Sequence, residues 1–105
     1  MKKTPRYNVI VAQRAQMMLG THVRSLANVS PPAAQKAKTE LLKAIRSLEY
    51  MSQRFPFLTE EYIPPNKYHR MPVEKWYLVL YQIKDQTVFV DYIMDCRQDY
   101  GWLLR

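Results

Sequence analysis

Arg97 and Tyr100 fall close together in the run Asp95-Cys96-Arg97-Gln98-Asp99-Tyr100-Gly101-Trp102, the densest concentration of polar chemistry in the sequence. The planar fork of a guanidinium matches phosphate oxygens, so Arg97 is suited to hold a phosphate and to stabilise charge developing on it. An ion pair with Asp95 or Asp99 would use the same group structurally. Tyr100 can stack on a base, transfer a proton if nearby positive charge lowers its pKa, or simply pack. His69 offers an imidazole that titrates near neutrality, as a general acid or base should. Arg70 and Lys67 beside it would steer the backbone of a polyanion. His22, set among Met18, Leu19 and Leu26, reads as a core histidine. Glu60-Glu61 reads as a solvated pair of acids, and Cys96 as a small buried residue with no histidine placed to activate it.

The composition removes several classes of function. Glycine occurs only twice, too rarely for the Gly-rich loops that cradle phosphates or dinucleotides. One cysteine and two histidines cannot make an internal disulfide or complete a structural zinc site, so neither a metal nor a cofactor is expected. The lone cysteine fits the cytoplasm. Lys2 and Lys3 resemble the start of a signal peptide, but the apolar run Val9 to Ala12 is cut off by Gln13 and Arg14. No stretch approaches the ~20 apolar residues of a membrane helix, so no membrane association is expected. The formal charge is +7, and all of the excess lies in residues 1–50, so an acidic protein or a polyanion is the natural partner.

The elements that must position these residues can be read from periodicity. With 105 residues of which 48% are hydrophobic, residues 1–105 are expected to form a single domain. Tyr7 to Ala12 suits an opening strand. Apolar residues from Gln13 to Val29 then recur at helical spacing, interrupted by Gly20. Ser30 followed by Pro31 and Pro32 reads as a cap with proline in the first turn, where a missing N–H costs nothing. A second helix follows, with Ala34, Ala37, Leu41, Ala44, Leu48 and Met51 as its apolar stripe and Lys36, Lys38, Lys43 and Arg46 off it. A short connection makes the pair an antiparallel hairpin. Phe55 to Lys67, with Pro56, Pro64 and Pro65, is an irregular connection whose aromatics plug the edge of the core.

Three strands complete an α+β fold: Tyr68 to Val73, with Pro72 marking it as an edge, then Trp76 to Lys84 and Thr87 to Asp95 around a turn at Asp85-Gln86. A two-residue turn makes Lys84 face Thr87, Gln82 face Phe89, Leu80 face Asp91, Leu78 face Ile93 and Trp76 face Asp95. Tyr77, Val79, Tyr81, Ile83, Val88, Val90, Tyr92 and Met94 then meet the helices. The opposite side carries Trp76, Leu78, Leu80, Phe89 and Ile93, a patch too apolar to leave bare and therefore expected to bind a partner.

The order strand, helical hairpin, three-stranded antiparallel meander, together with Trp76-Tyr77-Leu78-Val79-Leu80-Tyr81-Gln82-Ile83 and Val90-Asp91-Tyr92-Ile93-Met94-Asp95-Cys96-Arg97-Gln98-Asp99-Tyr100, resembles the RelE/ParE superfamily of toxins. The resemblance implies a RelE-like fold, a small twisted sheet with the helices on one face, and a toxin of a type II toxin-antitoxin system. A cognate antitoxin would neutralise it, on the patch just described. Toxins of the RelE branch cleave mRNA at the ribosome without a metal. On that pattern Arg97 and Tyr100 match the phosphate-contacting arginine and terminal tyrosine, His69 is the other acid/base, and Arg70, Lys67 and Gln98 contact substrate. Asp99 stands where some relatives have a histidine, Leu78 where the central strand often has an arginine, and His69 and Met71 where RelE has two lysines. The expectation is a ribosome-dependent mRNA endoribonuclease with the ribosome and mRNA as partners. The alternative is a ParE-like toxin that binds DNA gyrase without catalysis, or a diverged module that binds only the antitoxin.

Overall fold

The computed structural model describes residues 6–59, 65–74 and 76–96. Strand β1 (Asn8–Val11) leads directly into helix α1 (Gln13–Ala27), and α2 (Pro31–Met51) follows after a three-residue connection. Ser30 sits in extended backbone and its Oγ accepts the Ala33 N–H at 3.3 Å. Pro31 and Pro32 have no N–H, so the first turn of α2 leaves few donors unpaired, which is why this sequence starts a helix here. A short 3-10 turn (Ser52–Arg54) ends the helical region. Strands β2 (His69–Val73), β3 (Tyr77–Lys84) and β4 (Thr87–Asp95) complete the order.

The sheet has four strands in the order β1-β4-β3-β2. The opening strand lies parallel to β4, from Asn8 opposite Thr87 to Val11 opposite Val90. Beyond Val90 the outer margin of β4 has no strand partner among the described residues, and α1 packs there. His22, 5% exposed, meets the Ile93 carbonyl with Nε2 at 2.6 Å. A carbonyl can only accept, so Nε2 carries the hydrogen and the imidazole replaces a missing strand donor. His22 is thus the core histidine that its apolar neighbours implied.

The helices cover one face of the sheet. Ala15, Ala37, Leu41, Ile45 and Leu48 pack on Tyr77, Val79, Tyr81, Val88, Val90 and Ile93. Tyr81 is fully buried, and its hydroxyl donates to the Ser52 carbonyl at 2.5 Å. The register corrects the sequence reading. Lys84 faces Thr87 and Gln82 faces Phe89 as expected, but the pairing shifts between Leu80 and Tyr81, so that Leu80 faces Tyr92, Leu78 faces Met94 and Tyr77 faces Asp95. One extra residue on β4 flips every later side chain. Ile93 therefore lies in the helix-side core, whereas Tyr92 and Met94 lie on the other face.

That other face is partly covered by the chain itself. Leu58 and Tyr68 pack on Leu78, Leu80 and Met94, with Met18 and Tyr92 at the margin. The cover is held by the Leu58 N–H donating to the Tyr68 carbonyl at 2.6 Å and the Arg70 N–H donating to the Pro56 carbonyl at 2.9 Å. Outward-facing backbone groups on β2 alternate, so Pro72 takes the next outward position, where its lack of an N–H is harmless.

Candidate interaction surfaces

Of the residues expected to do chemistry, only His69, Arg70 and Lys67 are among the described residues, and these three do not converge on one point. Arg97, Gln98 and Tyr100 lie outside the described residues. His69 and Arg70 point to opposite faces of β2. The His69 ring is held between Phe57 (centroids 4.2 Å apart) and Tyr81 (5.1 Å, 14° between planes). Its Nδ1 donates to the Phe55 carbonyl at 2.7 Å, which fixes the ring and its tautomer. Those contacts describe a plug that ties the Phe55–Phe57 segment to the sheet. Arg70 lies on the face with Leu80, its buried Nε without a hydrogen-bond partner among the described residues. Lys67 is exposed, its ammonium 5.4 Å from the Tyr68 ring centroid.

Three described groups, Tyr68, Tyr81 and Cys96, are held toward their neutral forms. Cys96 is exposed, not buried as its residue type suggested; its thiol is nevertheless pushed up by the local loss of solvent and by the Asp95 carboxylate, with the Arg70 guanidinium opposing them. Tyr68 is raised by burial, then by Asp91 and Tyr92, with Arg14 opposing. Arg14 lies 4.3 Å over the Tyr92 ring, and Tyr92 meets Tyr68 edge-on at 5.8 Å. Burial also raises the Tyr81 phenol well above its ordinary value. None of these shifts prepares a base or nucleophile for work near neutral pH. Among the described residues, no group of three or more His, Cys, Asp or Glu could hold a metal. Nor is any described helix long and apolar enough to cross a membrane.

The five residues expected to form an open antitoxin patch are likewise dispersed. Leu78 and Leu80 are buried beneath Leu58 and Tyr68, and Ile93 faces the helices. Phe89 is half-buried and Trp76 is 47% exposed. Two causes account for the difference: the bulge moves Ile93, and the Pro56–Leu58 segment covers the leucines.

A more open apolar surface lies between the helices. A groove of about 550 Å³ is lined by Leu19, Gly20 and Val23 of α1 and by Leu42 and Ile45 of α2, with Arg24 and Lys38 also lining it. None of its lining residues is acidic. The sequence signals were Gly20 inside a helical pattern, which costs about 1 kcal/mol relative to alanine, and lysines off the α2 stripe.

The comparisons with known proteins complete this picture. Residues 9–100 match the family model described as "ParE toxin of type II toxin-antitoxin system, parDE". The chain belongs to the ParE toxin family. A solved chain described as "Chromosomal ParDE TA system from P. aeruginosa" superposes with a TM-score of 0.70 at 14% identity, over 86% of this chain and 96% of that one. At that identity the likeness supports the fold, an α+β arrangement of the RelE/ParE kind. No curated protein sequence matches the chain. ParE membership corrects the endoribonuclease expectation and removes the ribosome and mRNA as expected partners.

Proposed function

We propose that this chain is the toxin of a parDE-type module, held inactive by a cognate antitoxin and, when free, acting on DNA gyrase by binding rather than by catalysis. The observation that carries the reading is the ParE family match across residues 9–100. The geometry is consistent with it. The described residues offer a rigid sheet, two well-buried clusters and exposed cations, features that suit recognition of a large partner. The proposed site of action is the cytoplasm.

The test uses purified gyrase, relaxed plasmid and ATP. The toxin should suppress supercoiling and increase gyrase-linked DNA breaks, while mRNA from induced cells stays uncut within translated codons. Unchanged supercoiling and break formation at saturating toxin would refute the reading.

A further inference from the structure

We propose that two copies of the chain join edge to edge through β1, antiparallel about a two-fold axis at Val9, so that their four-stranded sheets become one continuous sheet. The inference concerns the free chain and does not depend on its target.

The sheet ends at β1 on one side and at β2 on the other. Along β1, the backbone groups of alternate residues face opposite ways. The Asn8 and Ala12 N–H groups donate inward to the Gln86 and Val90 carbonyls, both at 2.9 Å. Ile10 therefore faces β4 with them, and Tyr7, Val9 and Val11 face out. Two of the outward groups are already used: the Tyr7 N–H donates to the Glu49 carbonyl at 2.8 Å, and the Val11 carbonyl accepts from Gln16 Nε2 at 3.0 Å. That leaves the Tyr7 carbonyl, both groups of Val9 and the Val11 N–H, to which no hydrogen bond is seen among the described residues.

This pattern is its own complement. Rotation about Val9 brings Tyr7 opposite Val11 of the second copy. The two Val9 residues then exchange a reciprocal pair of hydrogen bonds, and each Val11 N–H meets the opposite Tyr7 carbonyl. The Tyr7 N–H and the Val11 carbonyl also come opposite one another, and each is already satisfied within its own copy, so no group is stranded. An unrelated strand in this register would bring a bare carbonyl to the first and a bare N–H to the second, leaving both without a partner. The side chains agree with the pairing. Val9 and Val11 pack on the helix-side core, so Ile10 lies on the other face, where it is 50% exposed. Across the axis it comes diagonal to its own copy, within reach of a long aliphatic side chain.

The experiment is sedimentation equilibrium of the full chain with residue-resolved amide exchange by NMR. The weight-average mass should climb from one chain toward two between about 10 μM and about 1 mM. The Val9 and Val11 amides should be roughly tenfold better protected at the upper end of that range than at about 50 μM, with Ile10 unchanged. Each copy carries +7, so like charges oppose association and added salt should strengthen it. Val9→Pro removes an outward donor and leaves the inward bonds of β1 intact. It should unfold within about 5 °C of the parent and stay at one chain mass at every concentration. A parent that remains monomeric, a folded Val9→Pro protein that dimerises like the parent, or a dimer that weakens as salt rises would overturn the proposal. So would a dimer whose Val9 and Val11 amides exchange as fast as in the monomer, a result that decides the matter even if Val9→Pro fails to fold.

Discussion

Replacing His69 with alanine separates a structural histidine from a chemical one. The substitution removes the 2.7 Å bond from Nδ1 to the Phe55 carbonyl and the ring contacts to Phe57 at 4.2 Å and Tyr81 at 5.1 Å. The lost hydrogen bond is worth about 1 kcal/mol, and each aromatic contact about 0.5–1.5 kcal/mol. The sum is about 2–4 kcal/mol of stability, a drop of roughly 4 °C or more in thermal midpoint for every kcal/mol. His69→Phe keeps the ring contacts and should lose only about 1 kcal/mol. Urea unfolding followed by far-UV circular dichroism measures both. Below the transition, folded His69→Ala protein should inhibit gyrase supercoiling as well per molecule as the parent. A variant with parental stability and no effect on gyrase would refute this reasoning and return His69 to a direct role in toxicity.

Three further outcomes are expected. Burial raises the Tyr81 phenol above the unfolded value near 10, so its contribution to stability is complete below that value and is lost as pH climbs toward the folded one. The decline approaches about 1.4 kcal/mol per pH unit, and urea titrations at stepped alkaline pH should show a shallower decline in Tyr81→Phe. The bulge predicts that Ile93→Asp prevents cooperative folding, whereas Phe89→Asp, on a half-buried surface position, shifts the urea midpoint much less. Equal penalties would contradict the register. Cys96 should alkylate with iodoacetamide more slowly at pH 8 than an unstructured cysteine peptide, and more slowly again in Arg70→Ala, since that guanidinium opposes the upward shift.

Local signals in the sequence placed the elements well. Ser30 with its two prolines marks the start of α2, the stripe from Ala34 to Met51 marks its extent, and alternation around Asp85-Gln86 gives the hairpin. Asp85 adopts φ 56° without a glycine, a conformation aspartate tolerates. The bulge was not legible because Asp91 is followed by Tyr92, Ile93 and Met94, any of which can face either side of a sheet buried on both. The parallel pairing of β1 with β4 depends on residues about eighty positions apart, and no local pattern announces it. The cover over Leu78 and Leu80 comes from Leu58 and Tyr68, residues whose proline-rich neighbourhood suggested only an edge plug. The functional branch was not legible because the two branches of the superfamily share their order of elements, and an arginine, a tyrosine and a histidine at nuclease-like positions do not by themselves separate a catalytic toxin from a binding one.

The margin of the sheet at β2 has no hydrogen to offer. Arg70 has already given its amide to Pro56, and Pro72 has none. Along His69–Val73 a foreign strand would find no free outward amide, which makes this edge a poor template for strand exchange between copies or for stacking. The edge is thereby blunted by the chain itself, through one amide already spent and one residue that never had it.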